Sequence, residues 1–417
     1  MTCRRPGGSR LAAVLLLGVV AAGCDAATPS VDPGPSTSAP STTFPASPAP
    51  SDAVPVVHGP PLPRVLDVDR VRNVRLPMDP AVLPPGPPTR VPWTEFDGPS
   101  ELGEVLRMHV GPRSYPLRES GYLREVAVWP TGVVWFQDYG LRFLNRDTGK
   151  VTRVRGVPAW YGRLTFTPDR AFWVKDGWVW SLSAQGLTPR TEARLTEVAG
   201  IEDASILVRG RVLGVLAGGE VMVEVTQGQG RSRSSAVYAS DGRALPLPPS
   251  WDYVTSERSR VAVVSKPGRS VLAAYDTRTF EPLWSRSVQA GGRRLRVVVG
   301  PLSPSGRRML VPGVRGGALV IETRTGKPVA RATLAPSSSA MQGEMHLDDD
   351  THVVYSAYDG PPNPGFDPTD TEPEVVELDW PNVLARCALS GACERVASVP
   401  APERSLMTGA TYLFDRP

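Results

Sequence analysis

The chain has 417 residues, with 46 Lys or Arg against 42 Asp or Glu and a formal net charge of +4 at neutral pH. Three of those bases, Arg4, Arg5 and Arg10, stand ahead of residue 24, and the remainder is close to neutral. That balance excludes an electrostatic case for binding nucleic acid or an anionic membrane surface.

The three arginines are followed by an apolar run from Leu11 to Ala22 and then by Gly23-Cys24. A basic start, an apolar stretch of this length and small residues at its end describe a secretory signal. The run is shorter than the roughly 20 apolar residues of a membrane-crossing helix. Ala21-Ala22-Gly23-Cys24 resembles the lipobox of bacterial lipoproteins, in which the cysteine becomes the acylated first residue. The resemblance implies a signal peptide over residues 1–23, lipidation at Cys24 and a lipid-anchored location at the extracytoplasmic face of the cell membrane. Ala stands where the commonest pattern has Leu three places before the cysteine, so cleavage near Ala26 or Ala27 with free secretion is the alternative. The bias toward Arg, Ala, Gly, Pro and Val resembles that of proteins from high-GC, actinobacterial-type genomes.

Residues 24–63 are Pro, Ser, Thr and Ala with almost no large apolar side chain. Such a stretch cannot bury enough surface to offset the entropy of ordering, which predicts a disordered tether extended by proline to about 3.1 Å per residue. Residues 64–100 stay proline-rich but gain Val, Leu, Trp93 and Phe96, and read as an extended lead-in lying against the folded part.

From residue 101 to 417 short Val-, Leu- and aromatic-rich segments alternate with Gly, Asp, Ser and Pro turns, the pattern of an all-β domain. The segments recur in order. One copy runs Leu302-Ser-Pro-Ser-Gly306, Arg308–Val311, Ala318–Glu322, Thr323-Arg-Thr-Gly-Lys327 and Pro328–Leu334. The preceding copy has Val261–Val264, Val271–Asp276, Thr277–Phe280 and Leu283-Trp284, and an earlier one has Val133–Phe136, Leu141–Leu144, Asp147-Thr-Gly-Lys150 and Val151–Val154. Corresponding turns are placed at Pro130, Pro168, Asp203, Glu257, Pro304 and Asp349. A period near 40–50 residues with four strands per unit predicts a β-propeller. This pattern resembles the WD-repeat-like and quinoprotein-like propellers of bacterial envelope lipoproteins, without the Gly-His and Trp-Asp pairs of true WD repeats. Six units are visible between about 120 and 399. Val105–His109 and Tyr115–Arg118 before them, and Ala410–Phe414 after them, predict a seventh blade closed from both chain ends, with six or eight blades as alternatives. Within one copy, Asp176-Gly177 predicts a two-residue hairpin setting Trp173 opposite Trp180 and Val174 opposite Val179, apolar on both faces.

Cys387 and Cys393 flank a Ser-Gly turn, and in an oxidising compartment the even pair predicts a structural disulfide rather than a metal or redox site. Residues 341–380 hold eleven acids and no Lys or Arg. Within them Asp359, Asp367, Asp370, Glu372 and Glu374 stand in the longest proline-broken loop, a candidate protein-partner surface or calcium site; no other cofactor is expected. His346 and His352 with Asp348 and Asp350 between them are a weaker metal set. Trp160, Tyr161, Trp173, Trp178 and Trp180 are either a sugar-stacking platform or core. Neither a Gly-x-Ser-x-Gly elbow nor a glycine-rich phosphate loop is present. Trp284, in a segment resembling a quinoprotein docking repeat, is expected to pack between blades.

The reading is a monomeric, non-catalytic binding or scaffold propeller for an envelope protein or glycan. The alternative is a propeller enzyme: a carbohydrate-active hydrolase or lyase, or a quinone-dependent dehydrogenase. Several carboxylates converging on the central funnel would favour the enzyme.

Overall fold

The computed structural model describes residues 57–77, 82–97, 104–120, 124–137, 140–155, 157, 164–167, 169–203, 208–228, 233–314, 317–333, 345–357, 382–400, 404–407 and 411–413. They form seven β-sheets on a four-stranded plan, one α-helix of four residues, Leu195–Val198, and one 3-10 turn, Val68–Arg70. In chain order the blades are built on residues 93–120, 124–154, 165–194, 208–245, 252–290, 308–333 and 346–398. Seven buried apolar clusters each join one blade to the next. Leu117 and Val133 meet between the first and second blades, and Phe143 and Trp173 between the second and third. Phe172 meets Val223 between the third and fourth, Leu213 meets Tyr275 between the fourth and fifth, and Trp284 meets Ile321 between the fifth and sixth. Val320 meets Tyr355 between the sixth and seventh, and Leu384 meets Val91 where the seventh returns to the first. The series closes on itself, so the fold is a seven-bladed β-propeller.

A blade covered on both faces needs continuous apolar strands rather than alternating ones. Val261–Ser265 is buried at all five positions and Val221–Gln227 at its first six, while the outer strand Pro189–Arg194 is largely exposed. The Asp176-Gly177 hairpin forms with positive φ at both residues, as a type I′ turn requires, and pairs Trp173 with Trp180 and Val174 with Val179. Trp173 and Trp180 lie parallel, with ring centroids 6.4 Å apart.

Two placements differ from the sequence reading. In the fourth blade the turn after the inner strand is not at Asp203, which precedes that strand. It lies at Ala217-Gly218-Gly219, between Val208–Val215 and Val221–Gln227. Glycine supplies the positive φ of this turn at Gly219, while Glu202-Asp203 is polar but ahead of the strand. The ring is closed by Arg404–Met407 pairing with Trp93–Asp97, and not by the segment after residue 409. Thr411–Leu413 instead runs parallel to Arg124–Val128 in the second blade.

The proline-rich lead-in makes a strap. The His58 amide donates to Pro246 at the end of the fourth blade, and the Tyr275 hydroxyl donates to the His58 carbonyl. Arg64–Asp67 then pairs parallel to Pro282–Ala290, the outer strand of the fifth blade. Asn73–Arg75 pairs parallel to Pro328–Thr333 of the sixth. Pro85 bridges Arg395 of the seventh, before the chain enters the first blade as Trp93–Asp97. Proline lacks an amide donor and suits an outermost strand, where a missing donor costs no ladder bond and denies an edge to other chains.

Candidate functional site

The inner strands of the third to sixth blades line a central cavity of about 110 Å³. Its walls are Thr165, Phe166 and Thr167, then Leu213 and Val215, then Tyr253 to Arg258, then Leu302, Ser303, Pro304 and Gly306. These are the ends of inner strands and the turns that follow them, so the cavity opens on one face of the disc. Three of its hydroxyls are committed to those turns, while Thr165 donates to the Val212 carbonyl, Thr255 accepts from the Val215 amide and Tyr253 donates to the Pro248 carbonyl. Thr167 Oγ1 accepts from the Arg170 amide at 3.0 Å, Ser256 Oγ from the Ser259 amide at 3.2 Å, and Ser303 Oγ from the Arg308 amide at 3.1 Å. Short hydroxyl side chains at this position fold back on their own backbone and help close the turn.

The charged residues of the lining are Glu257 and Arg258. Burial, with a smaller contribution from the neighbouring Asp169 carboxylate, pushes the Glu257 carboxyl up from its ordinary range. A carboxyl raised in the folded state is ionised at a cost to the fold once pH exceeds its folded value, and the cost vanishes below the unfolded value. Glu257→Gln is therefore expected to be more stable than the parent at pH 7 to 8. Thermal unfolding across pH should show the advantage disappear toward the ordinary glutamate range of about 4.3.

On the same face, in the seventh blade, the turn Asp348-Asp349-Asp350 does different work from ligating a metal. Asp348 is 2% exposed. Its Oδ1 accepts from Thr89 Oγ1 at 2.6 Å and from the amides of Arg90 at 2.5 Å and Val91 at 3.2 Å, holding the end of the strap. Its Oδ2 receives Arg386 Nε at 2.7 Å, and Arg386 also reaches Asp349 at 2.8 Å and Glu394 at 2.9 Å. Burial alone would push the Asp349 carboxyl up, but hydrogen bonds from Thr351 and His352 hold it down to about 2. Asp350 Oδ1 accepts from Ser305 of the sixth blade at 2.6 Å. His346 is buried in the inner strand of the seventh blade and His352 is paired with Asp349. Within this run Asp348 is joined to the strap and Asp350 to the neighbouring blade, while Asp349 and His352 pair with each other beside Arg386.

The aromatic residues also divide. Trp173 is 1% exposed between the second and third blades. Trp180 is half-buried on it, and Trp178 carries the Arg194 guanidinium at 5.7 Å from its ring centroid. Trp160 and Tyr161 lie outside the described residues, as do Cys24, Asp359, Asp367, Asp370, Glu372 and Glu374. The strand ends that bracket residues 358–381, Ala357 and Val383, point to the face opposite the cavity's turns. Cys387 and Cys393 face each other across their strand pair and form a disulfide with Cα atoms 4.1 Å apart. Converting both to Ala is expected to lower stability by about 2 kcal/mol, the closure entropy of so short a loop, in urea titrations under oxidising conditions. Trp284 packs between the fifth and sixth blades, and its indole N–H donates to the Thr323 carbonyl at 2.8 Å.

The sequence reading missed the polar uses of the lead-in, Thr89 above all. The signal available was a lone Thr-Arg step in a proline run, with nothing to indicate its partner across the chain.

No protein-family model matches this chain, and no curated protein does. Among solved structures it is similar to the β-propeller domain of Cps50 (Swd1) from Myceliophteria thermophila, at 11% identity and a TM-score of 0.42, covering 68% of this chain and 88% of that one. It is also similar to Hsv2 from Kluyveromyces lactis, at 11% identity and a TM-score of 0.37, covering 65% and 90%. The tricorn protease shares 13% identity at a TM-score of 0.28, over 73% of this chain and 28% of that one. These likenesses concern the fold.

Proposed function

We propose that this chain is a non-catalytic binding propeller, exported and held by a lipid on Cys24 at the outer face of the cell membrane, which presents its disc to an envelope protein or glycan. The observation that carries the reading is where the reactive side chains are spent. Asp348, Asp349 and Glu394 are all ion-paired to Arg386, and the cavity hydroxyls of Thr167, Ser256 and Ser303 close their own turns. What remains is a rigid ring with loops on two faces, the arrangement on which binding is built. Asp359, Asp367, Asp370, Glu372 and Glu374 are the proposed contact loop, acidic and suited to a basic partner surface or to calcium.

Affinity capture of the intact lipoprotein from its own envelope after mild cross-linking, beside a variant lacking residues 360–373, tests this reading. One envelope protein retained by the full chain and lost with the loop is the expected result; equal recovery by both removes the loop from the proposal. Metabolic labelling with a fatty acid should mark the parent and leave Cys24→Ala unmarked.

The second reading, a propeller hydrolase, is favoured by Glu257 alone, a carboxyl raised as a general acid needs. Turnover of an envelope glycan that disappears in Glu257→Gln would replace the binding reading with it.

A further inference from the structure

A second opening of about 360 Å³ lies between the fourth and fifth blades. It is formed by the start of Val208–Val215, the end of Val221–Gln227 and the residue ahead of Ser234–Ala239, with Ser250 and Pro267 from the fifth-blade side. Those strand ends are opposite to the Ala217–Gly219 turn, so this cleft opens on the other face from the central cavity.

Strand register brings three arginines to it. Arg211 lies opposite Glu224 and Arg209 opposite Thr226, which in turn lies opposite Ser235, and alternation sets Arg233 on the same face as Ser235. The floor is electrostatically closed. Glu224, 4% exposed, accepts from Arg211 Nε at 2.7 Å and from the Ser250 amide at 2.9 Å. The rest of the Arg211 guanidinium is used by Asp252 at 3.3 Å and the Trp251 carbonyl at 2.5 Å. The rim is open: Arg209 and Arg233 are exposed, and their side chains have no ion pair or hydrogen bond among the described residues. With the cleft's own carboxylate, Glu224, taken by Arg211, the two rim guanidiniums repel each other, and a bound anion relieves that repulsion.

We propose that this inter-blade cleft is an oxyanion-binding site, in which Arg209 and Arg233 grip a phosphate or carboxylate group of a ligand. Guanidinium forks match both groups with paired N–H donors. The Thr226 and Ser235 hydroxyls, 2.8 Å apart, use one proton between them, which leaves the other for a ligand oxygen. Arg211 is a positioning residue here, spent on Glu224, Asp252 and Trp251. The site is separate from the cavity and stands whether or not the contact loop binds a partner.

The test is thermal unfolding and calorimetric titration of the full chain with inorganic phosphate and with citrate, against sodium chloride at matched ionic strength. The variant is R209Q/R233Q. The control is R278Q/R293Q, which removes the same charge from exposed positions outside the cleft. The parent and control are expected to gain stability from phosphate or citrate beyond chloride. R209Q/R233Q should bind at least about tenfold more weakly, the loss of charge-assisted bonds. A response to phosphate alone identifies a phosphate-bearing ligand and to citrate alone a carboxylate-bearing one. No gain over chloride, or an equal gain in R209Q/R233Q, overturns the site. If the double variant fails to fold, as judged by circular dichroism, Arg233→Gln alone decides between the same outcomes.

Discussion

Asp348→Ala is expected to lower the stability of the propeller by about 3–5 kcal/mol, the cost of breaking a buried, hydrogen-bonded charge pair from one side. The Thr89 hydroxyl and the Arg90 amide lose this acceptor at once, and the Val91 amide keeps only Thr89 Oγ1. Arg386, with its side chain 14% exposed, keeps Asp349 and Glu394 but loses its most buried partner. Asp348→Asn keeps an oxygen for Thr89 and the two amides and should recover part of the loss. Urea unfolding measures the size, and trypsin reports the place. Arg70, Arg72 and Arg75 lie on the strap, so cleavage there should accelerate in Asp348→Ala before the ring itself is cut. The pH dependence of the clamp follows from Asp349. Its carboxyl is depressed in the folded state to about 2, so its contribution is complete above the unfolded carboxylate range, near 3.9, and is lost as pH falls from there toward 2. Strap cleavage by an acid-active protease should rise across that window.

Trp284→Ala is the second large effect, also expected at about 3–5 kcal/mol. The indole is 5% exposed, fills the space between two blades and donates to the Thr323 carbonyl. The facing position explains the turn beneath it. Gly326 has φ +63, and a Cβ there would come within 2.5 Å of the indole. Gly326→Ala should therefore cost about 3 kcal/mol, from left-handed strain together with overpacking. The double variant should lose at least about 1 kcal/mol less than the sum, because the void left by removing the indole admits the new methyl. Additivity in a double-mutant cycle would mean that the two residues do not support each other across the blade boundary. Phe280 holds the same left-handed position as Gly326 in the preceding copy, and each amide bonds to the carbonyl four residues earlier. The repeat thus conserves a backbone shape through different side chains.

The architecture was legible because a blade in a ring is a repeated local object. Strand, turn and hairpin register all sit within a few residues of one another, and Asp176-Gly177 alone determined the Trp173–Trp180 pairing. The long-range parts were not legible. Arg404–Met407 carries no stronger strand signal than its neighbours, and a strand's partner at the far end of a chain leaves no mark in its own composition. The triple acid of 348–350 shows the same limit. Read locally it is a turn or a ligand set; its role comes from Thr89, 259 residues away, and from Arg386 across the blade. The central cavity was expected only as a funnel. Glu257 was placed in a turn by the repeat, but burial, which shifts its carboxyl, is a property of the closed ring.

The strap and the closing blade also determine the order in which this protein can assemble. The strap, residues 58–91, finds its partners in residues 246 to 395, so the part of the domain made first is completed last. Blades two to six can pair within themselves as they emerge, each from a stretch of chain short enough to close quickly, whereas the strap must wait for contacts of very large sequence separation. A proline-rich segment survives that interval well, since it has few amides to offer to a wrong strand. Folding of this ring should therefore show a fast phase belonging to single blades and a slow one, sensitive to loss of residues 404–407, in which the two ends of the chain lock together.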